Sequence, residues 1–143
     1  LKNVPGWNFT DWATGWQMGT APIGKDGSSA LMDLQLLLAL QSAVVLEQSN
    51  GSKDFASLYN KFAEKLTQTI KNKYWDASRK LFADTPEKDK FSQHTNSLAI
   101  LAGLVEGPHL EKKYRTWANN MGRNFRSRID TVRLPRLGSD SKY

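Results

Sequence analysis

Apolar and polar positions alternate in blocks of contrasting character along the chain. From residue 31 to 46 apolar side chains occupy almost the whole circumference of a helix. Leu31, Leu34, Leu38, Ala39 and Val45 lie on one side, with Met32, Leu36, Leu37, Leu40 and Val44 opposite. A helix apolar on nearly all sides is expected to be buried on nearly all sides. Asp33, Gln35 and Gln41 interrupt the run, so it reads as a core helix and not as a membrane span. Ser28 or Ser29 is placed to cap its start, and Asn50-Gly51 to end it, with glycine taking the left-handed conformation. The next block, after Ser52, carries a stripe of Phe55, Leu58, Tyr59, Phe62, Leu66 and Ile70 against Lys53, Lys61, Lys65 and Lys71. That pattern predicts an outer helix with one solvated face.

A Tyr74-Trp75-Asp76 turn follows, then a short extended run of Leu81-Phe82-Ala83-Asp84-Thr85-Pro86 ended by the proline. A third helix is predicted from Ser92 to Val105, again almost free of charge. A fourth runs from Pro108 to about Met121 with Leu110, Tyr114 and Trp117 on one face and proline at a favoured first-turn position. The order is inner helix, outer helix, hairpin-like link, inner helix, outer helix. The expected class is all-α, with αα-hairpins of the kind that build solenoids and α/α toroids. Two such hairpins leave an apolar flank uncovered. The expected partner is therefore a second copy of the chain or further toroid packed on that flank. The expected boundaries are a helical domain over 1–121, made of a loop over 1–27 and hairpins over 28–121. A basic tail follows over 122–143.

The loop contains the most unusual chemistry. Trp7-Asn8-Phe9-Thr10-Asp11-Trp12 is followed by Trp16, with Gly6 and Gly15 alongside and no helical or strand period. Indoles seek large apolar cover. Clustered beside a carboxylate, they suit either of two roles: a pocket wall for a flat-faced polar ligand such as a sugar, or a hydrophobic plug over the helices.

Composition narrows the classes. The chain has 143 residues, 39% hydrophobic and 24% charged, which is globular and large enough for one core. Without cysteine, neither disulfides nor a thiolate metal site is available. The net charge of +6 argues only weakly for nucleic acid, because six Lys/Arg against two Asp in 122–143 supply +4 of it. No nucleic-acid or membrane partner is expected. The two histidines, His94 and His109, have no ligand spacing around them, so no metal and no cofactor are expected. Nucleophile-elbow, P-loop and dinucleotide motifs do not occur. Asn8-Phe9-Thr10 and Asn50-Gly51-Ser52 match the glycosylation sequon, a frequent chance match. A chain opening on Leu1 without a leader motif is expected to be processed, trimmed or part of something longer.

Trp7-Asn8-Phe9-Thr10-Asp11-Trp12 resembles the W-x-F-x-D-W signature of bacterial α-L-rhamnosidases, glycoside hydrolase family 78. The resemblance continues through Gly27-Ser28-Ser29, Tyr74-Trp75-Asp76 with Leu81 to Pro86, and Phe91-Ser92-Gln93-His94. These motifs lie in the family's order and cover about residues 3–121. The tail from Gly122 departs from the family and is expected to be foreign to it or poorly ordered. The resemblance implies an (α/α)6 toroid, a rhamnose-containing glycoside as substrate of the parent enzyme, and a periplasmic or secreted location for that enzyme.

It also implies an inverting mechanism. Inversion needs an acid and a base about 6.5–9.5 Å apart, with room for the attacking water. In the family the acid lies upstream of the W-x-F-x-D-W motif and the base downstream of the matched region. The chain is therefore expected to carry part of the sugar-binding wall and to be inactive alone. No catalytic residue is assigned; Asp11 is the best candidate, as a hydroxyl acceptor, a water-orienting group or a simple loop cap. Trp7, Trp12 and Trp16 are candidates for stacking on the sugar. His94, in a first turn shared with Gln93, Thr95 and Asn96, suits either the sugar rim or helix capping. Asp84 reads as a turn residue, and Glu47, Glu64, Glu106 and Glu111 as solvated charges. Two other readings stand beside this one: a non-catalytic helical module that self-associates through exposed apolar faces, and catalysis by paired chains using Asp11 with another carboxylate.

Overall fold

The computed structural model describes residues 1–105. The predicted fourth helix, His109, Glu106, Glu111 and the basic tail lie outside the described residues. The described part is mostly helical. It comprises α1 (Ala30–Asn50), α2 (Lys53–Tyr74), a minimal antiparallel ribbon of β1 (Trp75–Asp76) and β2 (Leu81–Phe82), and α3 (Gln93–Leu101). The ribbon qualifies the all-α expectation and falls in the predicted hairpin-like link, with Trp75 opposite Phe82 and Asp76 opposite Leu81. Its turn is set by Asp76, whose Oδ1 accepts from the amide and hydroxyl of Ser78 and the amide of Arg79. These bonds, the Ser78 hydroxyl foremost, hold the Asp76 carboxyl below its usual range.

The core lies where α1, α2, β2 and α3 meet, and contains Leu34, Leu37, Ala63, Ile70, Tyr74, Phe82, Ala99 and Leu104. α1 contributes mainly its first turns. Ala30, Leu31, Leu34 and Leu37 are buried, whereas Val45 and Leu46 near its end are 60% and 65% exposed. The expectation of burial on nearly every side thus fails for the second half of α1, because the described elements cover only part of its circumference there, leaving Ala43 and Val44 half-buried and Val45 and Leu46 exposed. By length and composition alone α1 could cross a membrane; its first half instead surrounds a buried carboxylate, Asp33, which accepts from Tyr74 Oη at 2.8 Å. The Leu1 nitrogen also bonds to Asp33. Burial, reinforced by this carboxylate, pushes the Tyr74 hydroxyl above its ordinary pKa.

Capping departs from the sequence reading at both ends of α1. Ser29 occupies the N-cap, but its buried hydroxyl makes no capping bond and has no partner. Ser28 instead donates to Asp26 Oδ1. The first amide of α1, from Ala30, is bonded by the Asp84 carbonyl at 2.9 Å, so backbone supplies what serine was expected to supply. At the other end Gly51 has φ −125° and is not left-handed. Glu47, expected to be a solvated charge, turns back to accept from the Ser52 amide at 2.8 Å and fills the space a Gly51 side chain would need. Ser52, after which the second helix was expected to begin, caps α2 by accepting from the Asp54 amide.

The apolar stripe of α2 is turned away from its predicted position. Ala56, Ala63, Ile70 and Tyr74 are the buried residues, with Tyr59 and Leu66 half-buried. Phe55, Leu58 and Phe62 are 53%, 41% and 51% exposed. The antiparallel α1–α2 hairpin packs through alanines, which let the helices approach closely. The phenylalanine ridge remains beside the contact.

α3 is shorter than predicted. Ser92 caps it by accepting from the Thr95 amide. Its end is a Schellman turn in which the Leu104 amide bonds the Ala99 carbonyl, the Gly103 amide bonds Ile100, and Gly103 has φ +71°. Asn96, wholly buried, clamps β2 from α3: its Oδ1 accepts from the Phe82 amide at 2.9 Å and its Nδ2 donates to the Phe82 carbonyl at 3.0 Å.

Three stability predictions test this packing. Asn96→Ala leaves both Phe82 backbone groups buried without those partners and should cost about 2–5 kcal/mol in urea denaturation. Ala63→Leu should cost about 1–3 kcal/mol by overpacking the helix contact. Phe62→Ser should stay within about 0.5 kcal/mol of the parent, because that side chain lies on the exposed ridge.

Candidate functional site

The Trp-rich loop closes on itself before it meets the helices. Phe9 and Thr20 form an antiparallel bridge, and the Gly19 carbonyl accepts from the amides of both Thr10 and Asp11 at 2.8 and 3.2 Å. A single 3-10 turn, Gln17–Gly19, reverses the chain, with Met18 at φ +49° and Gly19 at φ +70°. Gly19 also lies under the Phe9 ring, where an added Cβ would stand 2.5 Å from Cε2. The position therefore demands glycine for both conformation and space.

On this frame the aromatic rings form a connected row. Trp7 meets Phe9 edge to face at 5.4 Å between centroids, and Phe9 meets Trp12 at 5.3 Å. The Trp7 Nε1–H donates to the Met18 carbonyl. Trp7 and Trp12 are 64% and 72% exposed, and Trp16 is half-buried. None of the three belongs to the core cluster, and the exposure of Trp7 and Trp12 counts against the plug reading for those two. Trp7 and Trp12 each meet Phe9 and keep most of their surface in solvent, whereas Trp16 packs on His94 of α3.

Asp11 and His94, 83 residues apart in sequence, meet beside this row. His94 Nε2 lies 2.8 Å from Asp11 Oδ2, while Asp11 Oδ1 accepts from the Trp12 amide at 2.7 Å. Trp16 also lies against the imidazole, tilted, 4.8 Å between centroids. The His94 bond, assisted by the Trp12 amide, holds the Asp11 carboxyl below its usual range. Both Asp11 oxygens are oriented, and each retains lone-pair capacity for a further donor such as a sugar hydroxyl.

The first turn of α3 divides its polar residues between two tasks. Thr95 and Asn96 are buried and structural, Ser92 caps, and His94 is turned toward the loop. The rim and capping readings are thus both partly met, by different residues. Asp84 is more than a turn residue. It is buried, and its Oδ1 accepts from the Ser92 amide, the Ser92 hydroxyl at 2.6 Å and the Thr95 hydroxyl at 2.5 Å. Sequence reasoning also passed over Phe9 as the hinge of the aromatic row. The signal available was its place between two indoles and its distance from Gly19, the one glycine that admits its ring.

Among the described residues no group of three or more His, Asp or Glu could hold a metal ion. No protein-family model and no curated protein matches this chain.

Acid titration tests the Asp11 contact. A carboxylate whose folded pKa is lowered contributes stability above its unfolded value, and that contribution is lost as pH falls through the folded one. The Trp fluorescence change from the loop should therefore fall below about pH 4, the ordinary carboxylate range. Asp11→Asn should remove that transition.

Proposed function

We propose that this chain carries part of the sugar-binding wall of an inverting, α-L-rhamnosidase-like glycoside hydrolase built on an (α/α)6 toroid. The observation that supports the reading is the meeting of Asp11, His94 and Trp16 beside the exposed Trp7–Phe9–Trp12 row. An oriented carboxylate next to solvent-facing indoles is what a pyranose requires: its C–H face covers a ring while its hydroxyls donate to the acid oxygens. Three of the motifs that carry the resemblance contribute to this region or to its support. Trp7 to Trp12 form the row, Phe91 to His94 bring the imidazole, and the stretch from Leu81 to Pro86 contains Asp84.

In this reading Asp11 accepts from a rhamnose hydroxyl, and Trp12 and Trp7 offer stacking faces. His94 holds the carboxylate in place, with Trp16 packed on the imidazole. The acid and base of the inverting reaction belong to toroid segments outside the matched region, so the chain binds without turning over. The uncovered residues of the two helices, Val45 and Leu46 on α1 with Phe55, Leu58 and Phe62 on α2, also favour a second reading. In it the chain is a helical module that self-associates through those faces.

L-Rhamnose should quench the tryptophan fluorescence of the chain. Asp11→Ala should weaken that response about tenfold or more, the loss of a charged hydrogen-bond acceptor, and Trp12→Ala should reduce it. p-Nitrophenyl α-L-rhamnoside should not be hydrolysed. A folded chain that ignores rhamnose while sedimenting as an oligomer would favour the self-associating module, and turnover abolished by Asp11→Ala would restore catalysis by paired chains.

A further inference from the structure

Gly51 and Ser52 alone join α1 to α2, directly after Asn50. Asn50 is exposed, and its carboxamide bonds to no protein group among the described residues. Gly51 gives the next peptide nitrogen no side chain to shield it, and its φ of −125° and ψ of −143° leave the helix at that point. The chain contains no other Asn-Gly pair. Asparagine is a chemically labile residue. Exposed, unbonded and followed by glycine, it is most open to attack on its side chain by the following backbone nitrogen.

The same turn carries a restraint. The Gly51 amide donates to the Glu47 carbonyl at 3.0 Å, the closing backbone bond of α1. The Glu47 carboxylate folds over the turn, accepts from the Ser52 amide at 2.8 Å and occupies the space beside the Gly51 Cα. Glu47 therefore holds both amides that follow Asn50, one with its backbone and one with its side chain. This end of α1 is also its less covered one, with Val45 and Leu46 exposed, and helix ends open readily. A nitrogen occupied in the closed turn becomes available each time the turn opens.

We propose that Asn50 is a modification site: it deamidates spontaneously through a cyclic imide, and Glu47 sets the rate by holding the turn closed. In the opened turn the Gly51 nitrogen attacks Cγ of Asn50. A C–N bond forms, the Gly51 amide proton passes through water to the departing group, and the side-chain nitrogen leaves as ammonia. Water then opens the imide at either carbonyl, and it is the only reagent consumed. One opening gives aspartate. The other gives isoaspartate, whose backbone runs through Cβ and Cγ. Both products place a carboxylate at the C-terminus of α1, where the helix dipole is already negative. They also place it one turn from Glu47, a like charge. The product thus weakens the strap that slowed its formation.

Other asparagines lack this combination. Asn8 donates to the Val4 and Gly6 carbonyls, Asn60 to Glu64, and Asn96 is buried and bonded to Phe82. Each is followed by a residue with a side chain: Phe9, Lys61 and Ser97.

The test is incubation of the full chain at mildly alkaline pH, followed by peptide mass spectrometry that distinguishes aspartate from isoaspartate. Both acids should form at Asn50 before Asn8, Asn60 or Asn96 changes. Glu47→Ala should speed the conversion about two- to tenfold, the change in turn opening that loss of one such hydrogen bond supports. Glu47→Gln, whose amide oxygen can still accept from Ser52, should stay near the parent rate. The aged chain should lose hydrogen-exchange protection over residues 47–53 with the Trp loop unchanged, and Asn50→Gln should keep that protection through the same incubation. Conversion of Asn8, Asn60 or Asn96 ahead of Asn50 would overturn the site. So would an Asn50 that converts in urea but stays intact in the folded chain, because the turn would then not open. An unchanged rate in Glu47→Ala, with its helices intact by circular dichroism, would overturn the role of Glu47.

Discussion

The buried carboxylate of Asp84 is the constraint on which this structure depends. Its Oδ1 gathers three donors from the first turn of α3, its carbonyl takes the first amide of α1, and its own amide bonds the Lys90 carbonyl. One residue of an extended link thereby fixes the starts of two helices relative to each other. A buried polar side chain is tolerated only where hydrogen-bond partners surround it, and here those partners belong to the elements that must be aligned. Asn96 completes the joint by tying α3 to the backbone of β2.

The candidate site inherits its geometry from that joint. His94 lies between Thr95, held by Asp84, and Ser92, held by the same oxygen, so its direction is set before the loop arrives. The loop brings its own order, from Gly19 and the Phe9–Thr20 bridge, and contributes rings that cover one another. Neither part alone orients Asp11. The carboxylate is fixed only when the imidazole on one side and the Trp12 amide on the other occupy its two oxygens. What positions the carboxylate is also what joins loop to helix.

The alanine contact between α1 and α2 has a consequence for the surface. Close approach through Ala56 and Ala63 brings the core together with small side chains, and the larger Phe55, Leu58 and Phe62 are left along its edge.

The sequence by itself determined the elements. Ser52 and Ser92 announced helix starts because a side-chain cap is a local bond between near neighbours. The helices over 30–50 and 53–74 followed from apolar content and lysine spacing, whereas the turn expected at Tyr74-Trp75-Asp76 is the end of α2 and strand β1, the chain turning only after Asp76. What the sequence left open were the matters decided between elements. Periodicity showed that α2 has an apolar stripe, but not that its alanines would be chosen over its phenylalanines, which depends on how near α1 can come. Ser29 looked like a cap, yet the backbone of Asp84, 55 residues away, bonds the amide instead. Asp11 and His94 were each legible as candidates. Their pairing was not, because it exists only after Asp84 and Asn96 have fixed the helix end that carries the histidine.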